Sequence, residues 1–213
     1  MKEAVNVPTK IILASGNTGK LKEFIAAFSD LNIELLPQPQ TTEYEVAETG
    51  TTFVENAIIK ARHASQLTGL PALADDSGLI VPALQGQPGI RSARYAGEQA
   101  NSHDNLNLLL ENMAGVEQKS AHFYCCLVFM RHHLDPDPII AKGMWQGQIT
   151  TKSSGANGFG YDPIFYVPTH HCTAAALDHE LKKAISHRGK AIQAIYPLLA
   201  AEQAAQDAAK FPA

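Results

Sequence analysis

The chain has 213 residues, 45% of them hydrophobic and 18% charged, which is typical of a globular protein with a sizeable core. Its formal net charge of -4 argues against broad, non-specific binding to nucleic acid, which needs a basic surface. No apolar run approaches the roughly 20 residues that span a bilayer, and no export signal is visible at Met1 to Lys10. Three cysteines without paired spacing indicate reduced thiols, so we expect a cytoplasmic protein.

The first third of the chain predicts alternating strands and helices, from apolar runs and helix-capping signals. After a disordered lead-in at residues 1–9, the expected elements are a strand at 10–15, a helix from the following turn to about 28, a strand at 33–36 and a helix at 52–67. The last helix begins at a capping box formed by Thr52 and Glu55. The acidic segment between 37 and 50 is expected to be an irregular loop.

The turn after the first strand has the composition of a phosphate-binding loop. Its residues offer hydroxyl, amide and ammonium groups and are Ser15, Gly16, Asn17, Thr18, Gly19 and Lys20. They lie where a helix begins, and the backbone N–H groups of a helix start can face an anion. The segment matches neither the P-loop nor the G-x-G-x-x-G pattern. A phosphate site and an ordinary helix-capping turn therefore both stay open.

Two adjacent carboxylates, Asp75 and Asp76, lie between two apolar runs. Because burying an unpaired charge is costly, a divalent cation with hard oxygen ligands is one explanation. The alternative is a polar turn in which Asp76 or Ser77 caps the backbone and Gly78 takes a special dihedral angle. The segment Ala74 to Gly78 alone favours the turn.

A polar stripe runs along the predicted helix at 52–67. Asn56, Lys60 and His63 lie at positions i, i+4 and i+7, so they share one face. Such a stripe usually faces solvent, but it could also line a cleft.

The rest of the chain predicts a helix, a hairpin, a glycine-rich loop and two further helices. The expected elements are strand or loop at 79–84, a structured loop at 85–97, a helix at 102–113, strands at 121–131 and 139–149, a glycine-rich loop at 153–161, a strand at 164–167, a helical turn capped by Asp178 and a final helix capped by Ser186. Together the elements predict an α/β fold with a central mixed twisted sheet and helices on its faces. We expect one domain at 10–200, followed by a helix end and tail at 201–213.

Groups suited to a nucleoside phosphate accumulate along the chain. The acidic, basic, aromatic and donor residues concerned are Glu48, Lys60, Asp75, Asp76, Phe159, Tyr161, Lys182, His187 and Arg188. The carboxylates could hold a metal, the lysines could bind phosphate, and a ring on the glycine-rich loop could stack on a base for about 1–3 kcal/mol. Each residue has a purely structural explanation by itself, whereas together they favour nucleotide binding.

Six segments resemble the signature blocks of one enzyme family. In order they are ASGNTGKLKEF (14–24), TFVENAIIKA (52–61), ALADDSGL (72–79), PGIRSARYAG (88–97), GFGYDPIF (158–165) and AISHRGKA (184–191). On these motifs the chain resembles the inosine triphosphate pyrophosphatase family, also called the XTP/dITP diphosphatases. The resemblance implies a Mg²⁺-dependent homodimer with a mixed α/β fold and two lobes around an active-site cleft. It also implies hydrolysis of deaminated purine nucleoside triphosphates (dITP, ITP and XTP) to the monophosphate and pyrophosphate.

The resemblance further implies roles for individual residues. Asp76 would be the metal-linked general base, with Ser77 beside it as a substrate contact, and Glu48 would be a second Mg²⁺ ligand. The triphosphate would be held by Ser15, Gly16, Asn17, Thr18, Gly19, Lys20 and Lys60. The purine would be enclosed by Phe159, Gly160, Tyr161, Asp162, Lys182, His187 and Arg188.

The expected partner is thus a small nucleoside triphosphate, with no nucleic acid and no membrane, and the expected role is cleansing of the nucleotide pool. Two alternatives stay open: a Maf-like pyrophosphatase acting on modified nucleotides, and a non-catalytic nucleotide-binding module. A panel of nucleotide substrates with detection of pyrophosphate separates all three.

Overall fold

The structure is a computed structural model that describes residues 9–16 and 18–210. Nearly all of the predicted lead-in at 1–9 therefore lies outside the described residues. The same holds for Asn17 of the predicted phosphate turn and for residues 211–213 of the predicted tail.

The described residues form a mixed sheet with helices. The helices are α1 (Thr18–Ala27), α2 (Phe53–Thr68), α3 (Ser102–Asn112), α4 (His179–Ile185) and α5 (His187–Lys210). The strands are β1 (Thr9–Leu13), β2 (Ile33–Pro37), β3 (Ala72–Ile80), β4 (Ser120–Met130), β5 (Ile139–Ile149), β6 (Phe165–Val167) and β7 (Cys172–Thr173). Their order in the seven-stranded sheet is β2-β1-β3-β4-β5-β6-β7. Parallel pairing of β1 with β2 and β3, and antiparallel pairing of β6 with β5 and β7, confirm the predicted α/β class.

Side-chain caps explain where the helices begin. The Thr52 side chain accepts a hydrogen bond from the N–H of Glu55, and the reciprocal contact completes the capping box at the start of α2. Asp178 caps α4 through the N–H groups of its first turn. The hydroxyl of Ser186 accepts the N–H of Gly189 at 3.1 Å at the start of α5. The caps predicted at Thr52, Asp178 and Ser186 are therefore confirmed.

Asp75 and Asp76 lie inside β3, a continuous strand from Ala72 to Ile80. The turn that Ala74 to Gly78 favoured is therefore wrong. Apolar residues on both sides, including Leu73 and Leu79, are fully buried and extend the strand through the two carboxylates. Successive side chains of a strand point to opposite faces, so Asp75 and Asp76 point away from each other.

The described residues fold as two compact units. The first unit contains the residues up to Asp75, the segment Cys126–Ala141 and the residues from Ile192 onwards. The second unit contains Asp76–Cys125 and Lys142–Ala191. The two units alternate along the chain, so no single linker separates them.

Each unit has its own buried aromatic residues. In the first unit, the ring centroids of Phe24 and Phe28 lie 6.1 Å apart, and both side chains are buried. In the second unit, Phe123 lies 4.6 Å from Phe165, and Trp145 lies 5.2 Å from Phe165, measured between ring centroids. Both units therefore bury enough apolar surface to support the polar groups described below.

In the part of the chain that the structure describes, no helix has the length and apolar character needed to cross a membrane.

Candidate active site

The predicted phosphate turn joins β1 to α1. Beyond the end of β1, the N–H of Ser15 donates to the carbonyl of Leu13 at 2.8 Å, and the side-chain amide of Gln40 donates to the carbonyl of Gly16 at 3.3 Å. Thr18, Gly19 and Lys20 form the first turn of α1. The first N–H groups of a helix have no intrahelical partner, so this turn is able to bind an anion.

Lys20 is bound to a buried carboxylate on β3. Its ammonium group donates to both carboxylate oxygens of Asp75, each at 2.8 Å. The Asp75 side chain is only 1% exposed. Hydrogen bonds between charged groups are short and strong, so this pair fixes the end of Lys20 relative to β3.

The polar stripe of α2 contacts the acidic segment that precedes the helix. The ammonium of Lys60 lies 2.9 Å from a carboxylate oxygen of Glu48. The side-chain carbonyl of Asn56 accepts the N–H of Gly50 at 2.9 Å, and the His63 ring hydrogen-bonds the carbonyl of Glu43 at 2.6 Å. All three stripe residues therefore hold the segment that carries Glu48.

Gly50 allows that segment to lie directly on α2. A Cβ atom at Gly50 would lie 2.6 Å from the Cβ of Glu55 and 2.7 Å from the side-chain oxygen of Asn56, closer than real Cβ contacts. The sequence analysis did not include Asn56 among the site residues. Its signal was the spacing of four residues from Lys60, which put both side chains on one face.

The donor set of the two predicted metal ligands fits Mg²⁺. Glu48 and Asp76 supply carboxylate oxygens, and Asp76 is 8% exposed. Mg²⁺ in nucleotide sites is commonly bound by one or two carboxylates, with substrate phosphates and water completing the octahedron. Among residues 9–16 and 18–210, no three His, Cys, Asp or Glu side chains form a group that could hold a metal ion. A site completed by substrate phosphate fits these residues better than a closed, all-protein metal site.

In the second unit, Asp162 organises the glycine-rich loop. One of its carboxylate oxygens accepts the N–H of Phe159 at 2.8 Å and the ammonium of Lys182 at 2.5 Å. The same ammonium lies 5.4 Å from the centroid of the Phe159 ring, within the range of a cation–π contact. The Phe159 side chain is 65% exposed. The loop therefore presents an open aromatic ring above a fixed cation.

Tyr161, two residues further on, has a different environment. It is 4% exposed, belongs to the apolar core of the second unit and donates its hydroxyl to the carbonyl of Ser92 at 2.9 Å. Burial, with a smaller contribution from Tyr95, raises the pKa of the Tyr161 phenol. Of the two predicted aromatic residues, Phe159 is thus the one whose ring is presented for stacking.

His187 and Arg188 form the beginning of α5. The His187 ring stacks on Phe123, with centroids 4.8 Å apart and planes inclined by 15°, and Arg188 is buried. β5 approaches this helical turn at Gly143, where a Cβ atom would lie 1.9 Å from the carbonyl oxygen of His187. The sequence analysis missed both Phe123 and Gly143 as supports, because nothing in their local sequence indicates what they contact.

Known proteins share both the sequence and the fold. The model of the Ham1 family matches residues 11–198. A relative from Vibrio parahaemolyticus serotype O3:K6, named a dITP/XTP pyrophosphatase, is 55% identical over 197 residues, which cover 92% of this chain and 98% of the relative. A HAM1 protein from Coxiella burnetii is similar with a TM-score of 0.87 and 49% identity, over 90% of this chain and 98% of that one. The Ham1 protein of Staphylococcus aureus has a TM-score of 0.84 and 39% identity, over 91% and 100% of the two chains.

These matches confirm the resemblance derived from the six sequence blocks, and they cover nearly the whole chain. This chain belongs to the Ham1 family.

Proposed function

We propose that the protein is a Mg²⁺-dependent nucleoside triphosphate pyrophosphatase that removes deaminated purine nucleotides (dITP, ITP and XTP) from the nucleotide pool. The observation that carries the proposal is the bidentate pair of Lys20 and Asp75, which joins the phosphate-type turn to the strand containing Asp76. The relatives named dITP/XTP pyrophosphatases support the same activity.

The first turn of α1, Lys20 and Lys60 are proposed to bind the triphosphate. Backbone N–H groups at a helix start and lysine ammonium groups both attract phosphate oxygens. Glu48 and Asp76 are the proposed ligands of Mg²⁺, which when bound neutralises phosphate charge and acidifies or orients water.

Asp76 is proposed to act as the general base. Its carboxylate accepts a proton from water as the water oxygen forms a bond to the α-phosphorus. The bond between the α-phosphorus and the bridging α–β oxygen breaks, and its electron pair leaves with pyrophosphate. Lys20 and Lys60 stabilise the negative charge that develops on the leaving group.

The purine is proposed to bind in the second unit. Phe159 offers the exposed ring for stacking, and Lys182, His187 and Arg188 offer hydrogen-bond donors. Hypoxanthine and xanthine present a keto oxygen at C6 and an N1–H, whereas adenine presents the opposite pattern of donor and acceptor. Donors placed for the keto oxygen would leave polar groups unpaired against adenine, which can discriminate by about 10⁴ or more.

Product analysis of Asp76→Asn tests the proposed reaction. With dITP and Mg²⁺ in ¹⁸O-labelled water, the wild type is expected to release pyrophosphate and to place the label in dIMP. Asp76→Asn is expected to lose at least about 10²-fold in kcat, because general-base catalysis contributes 10²–10⁴-fold.

Label in the pyrophosphate would contradict attack at the α-phosphorus. Near-normal turnover by an Asp76→Asn variant that still binds Mg²⁺ would exclude Asp76 as the base. Absence of any pyrophosphate from the wild type would favour a non-catalytic nucleotide-binding module.

The proposal also includes a homodimer in the cytoplasm, as the family resemblance implies.

A further inference from the structure

The two lysine–carboxylate pairs of the first unit differ in burial. The Asp75 side chain is 1% exposed, and both of its oxygens accept hydrogen bonds from Lys20. The Glu48 side chain is 23% exposed, and the printed contact joins one of its oxygens, Oε1, to Lys60 at 2.9 Å. Both lysines are proposed phosphate ligands, but only one of them is bound to a deeply buried charge.

This difference in burial determines which lysine can leave its carboxylate. Removing the cation from a buried carboxylate leaves an uncompensated charge, which is strongly unfavourable. A partly exposed pair is held weakly, because water can replace either partner. Lys20 is therefore tied to Asp75, whereas Lys60 can separate from Glu48 at little cost.

We propose that Lys60 exchanges partners during substrate binding. In the free protein it neutralises Glu48, and in the complex it moves to the triphosphate, so that the Glu48 carboxylate becomes available to a divalent cation. The inference rests on the proposed function, which makes Lys60 a phosphate ligand and Glu48 a metal ligand. It adds a second role to Lys60, that of a built-in competitor for the metal site.

The backbone around Glu48 does not have to move in this exchange. Asn56 holds the N–H of Gly50 on one side of Glu48, and His63 holds the carbonyl of Glu43 on the other. These contacts are independent of the Lys60 side chain. The exchange is therefore a rotation of side chains on a segment that α2 keeps in place.

Competition for Glu48 couples the metal to the nucleotide. A divalent cation binding the free protein has to displace the Lys60 ammonium, whereas in the complex the triphosphate has already attracted it. Metal affinity is consequently low without nucleotide and higher with it, and by linkage the metal strengthens nucleotide binding by the same factor. The protein thus avoids holding a tightly bound metal in the absence of substrate.

Mn²⁺ binding to the nucleotide-free, full-length protein tests the exchange, with electron paramagnetic resonance reporting unbound Mn²⁺. Lys60→Met is expected to bind Mn²⁺ about three- to tenfold more tightly than the wild type, because the competing ammonium is gone. Lys60→Arg, which keeps a cation, is expected to stay within about twofold of the wild type. Lys10→Met is the matched control, since Lys10 forms only an exposed, 3.8 Å pair with Glu34.

Adding Glu48→Gln to Lys60→Met is expected to abolish the gain, which would locate the additional affinity at Glu48. Unchanged or weaker Mn²⁺ binding by folded Lys60→Met would overturn the exchange, and so would a gain that survives Glu48→Gln. If Lys60→Met is unstable, Lys60→Gln provides the same comparison. Pyrophosphate release by the wild type is measured separately: an inactive wild type would refute the proposed function, whereas an active wild type without the Mn²⁺ effect would refute the exchange alone.

Discussion

Asp75 and Asp76 are neighbours in the sequence but have different surroundings. Asp75 is held by the ammonium of Lys20, at 2.8 Å from both oxygens. Asp76 points to the opposite face of β3. This arrangement gives Asp75 a supporting role, as the residue that orients Lys20, and it agrees with the proposal that the chemistry belongs to Asp76.

Lys20→Met is expected to lower the free energy of unfolding by about 3 kcal/mol, because it leaves the Asp75 carboxylate buried without its cation. Urea denaturation measures the effect. Lys10→Met, which removes an exposed pair, is expected to change stability by less than about 0.5 kcal/mol.

A double variant separates charge from packing in this prediction. Asp75→Asn introduced into Lys20→Met removes the unpaired charge and is expected to recover part of the lost stability. A Lys20→Met protein as stable as Lys10→Met would contradict the assignment of a strong buried pair.

At the scale of elements, the helices were predictable because their signals are local. The capping box at Thr52 and the caps at Asp178 and Ser186 each lie within a few residues of the helix that they begin. The stretch from Ala74 to Gly78 was harder, because Asp, Ser and Gly are typical of turns. Its strand conformation depends on pairing within the sheet, which a five-residue segment does not encode.

The contact between β5 and the start of α5 predicts an effect on base recognition. Gly143→Ala would force the backbone of His187 away, because the new Cβ would lie 1.9 Å from its carbonyl oxygen. We expect a higher KM for dITP and XTP and at least about tenfold lower selectivity over dATP, because misplaced donors stop distinguishing the two kinds of base.

Gly147→Ala is the matched control for this prediction. Its Cβ would meet the Phe165 ring at 2.5 Å, so it disturbs the core of the same unit without touching the start of α5. Steady-state kinetics with both nucleotides compares the two variants. Equal losses of selectivity in both would show that Gly143 affects stability rather than the placement of His187 and Arg188.

For the molecule as a whole, the ordered sequence blocks predicted the family and the α/β fold, and both are confirmed. The pairings within the site could not be predicted, because they join residues far apart in the chain. Lys20 and Asp75 are separated by 55 positions, and His187 stacks on a phenylalanine of β4. Burial also separates Phe159 from Tyr161, which belong to the same loop and have similar rings.

The central claim is that the protein hydrolyses deaminated purine nucleoside triphosphates to monophosphate and pyrophosphate. The most direct measurement is kcat/KM for ITP, XTP, GTP and ATP under identical Mg²⁺, with pyrophosphate quantified as the product. The account predicts values for ITP and XTP that exceed the value for ATP by about 10⁴ or more, because adenine leaves the keto-selective donors unpaired. An equal kcat/KM for ATP, or release of orthophosphate in place of pyrophosphate, would contradict it.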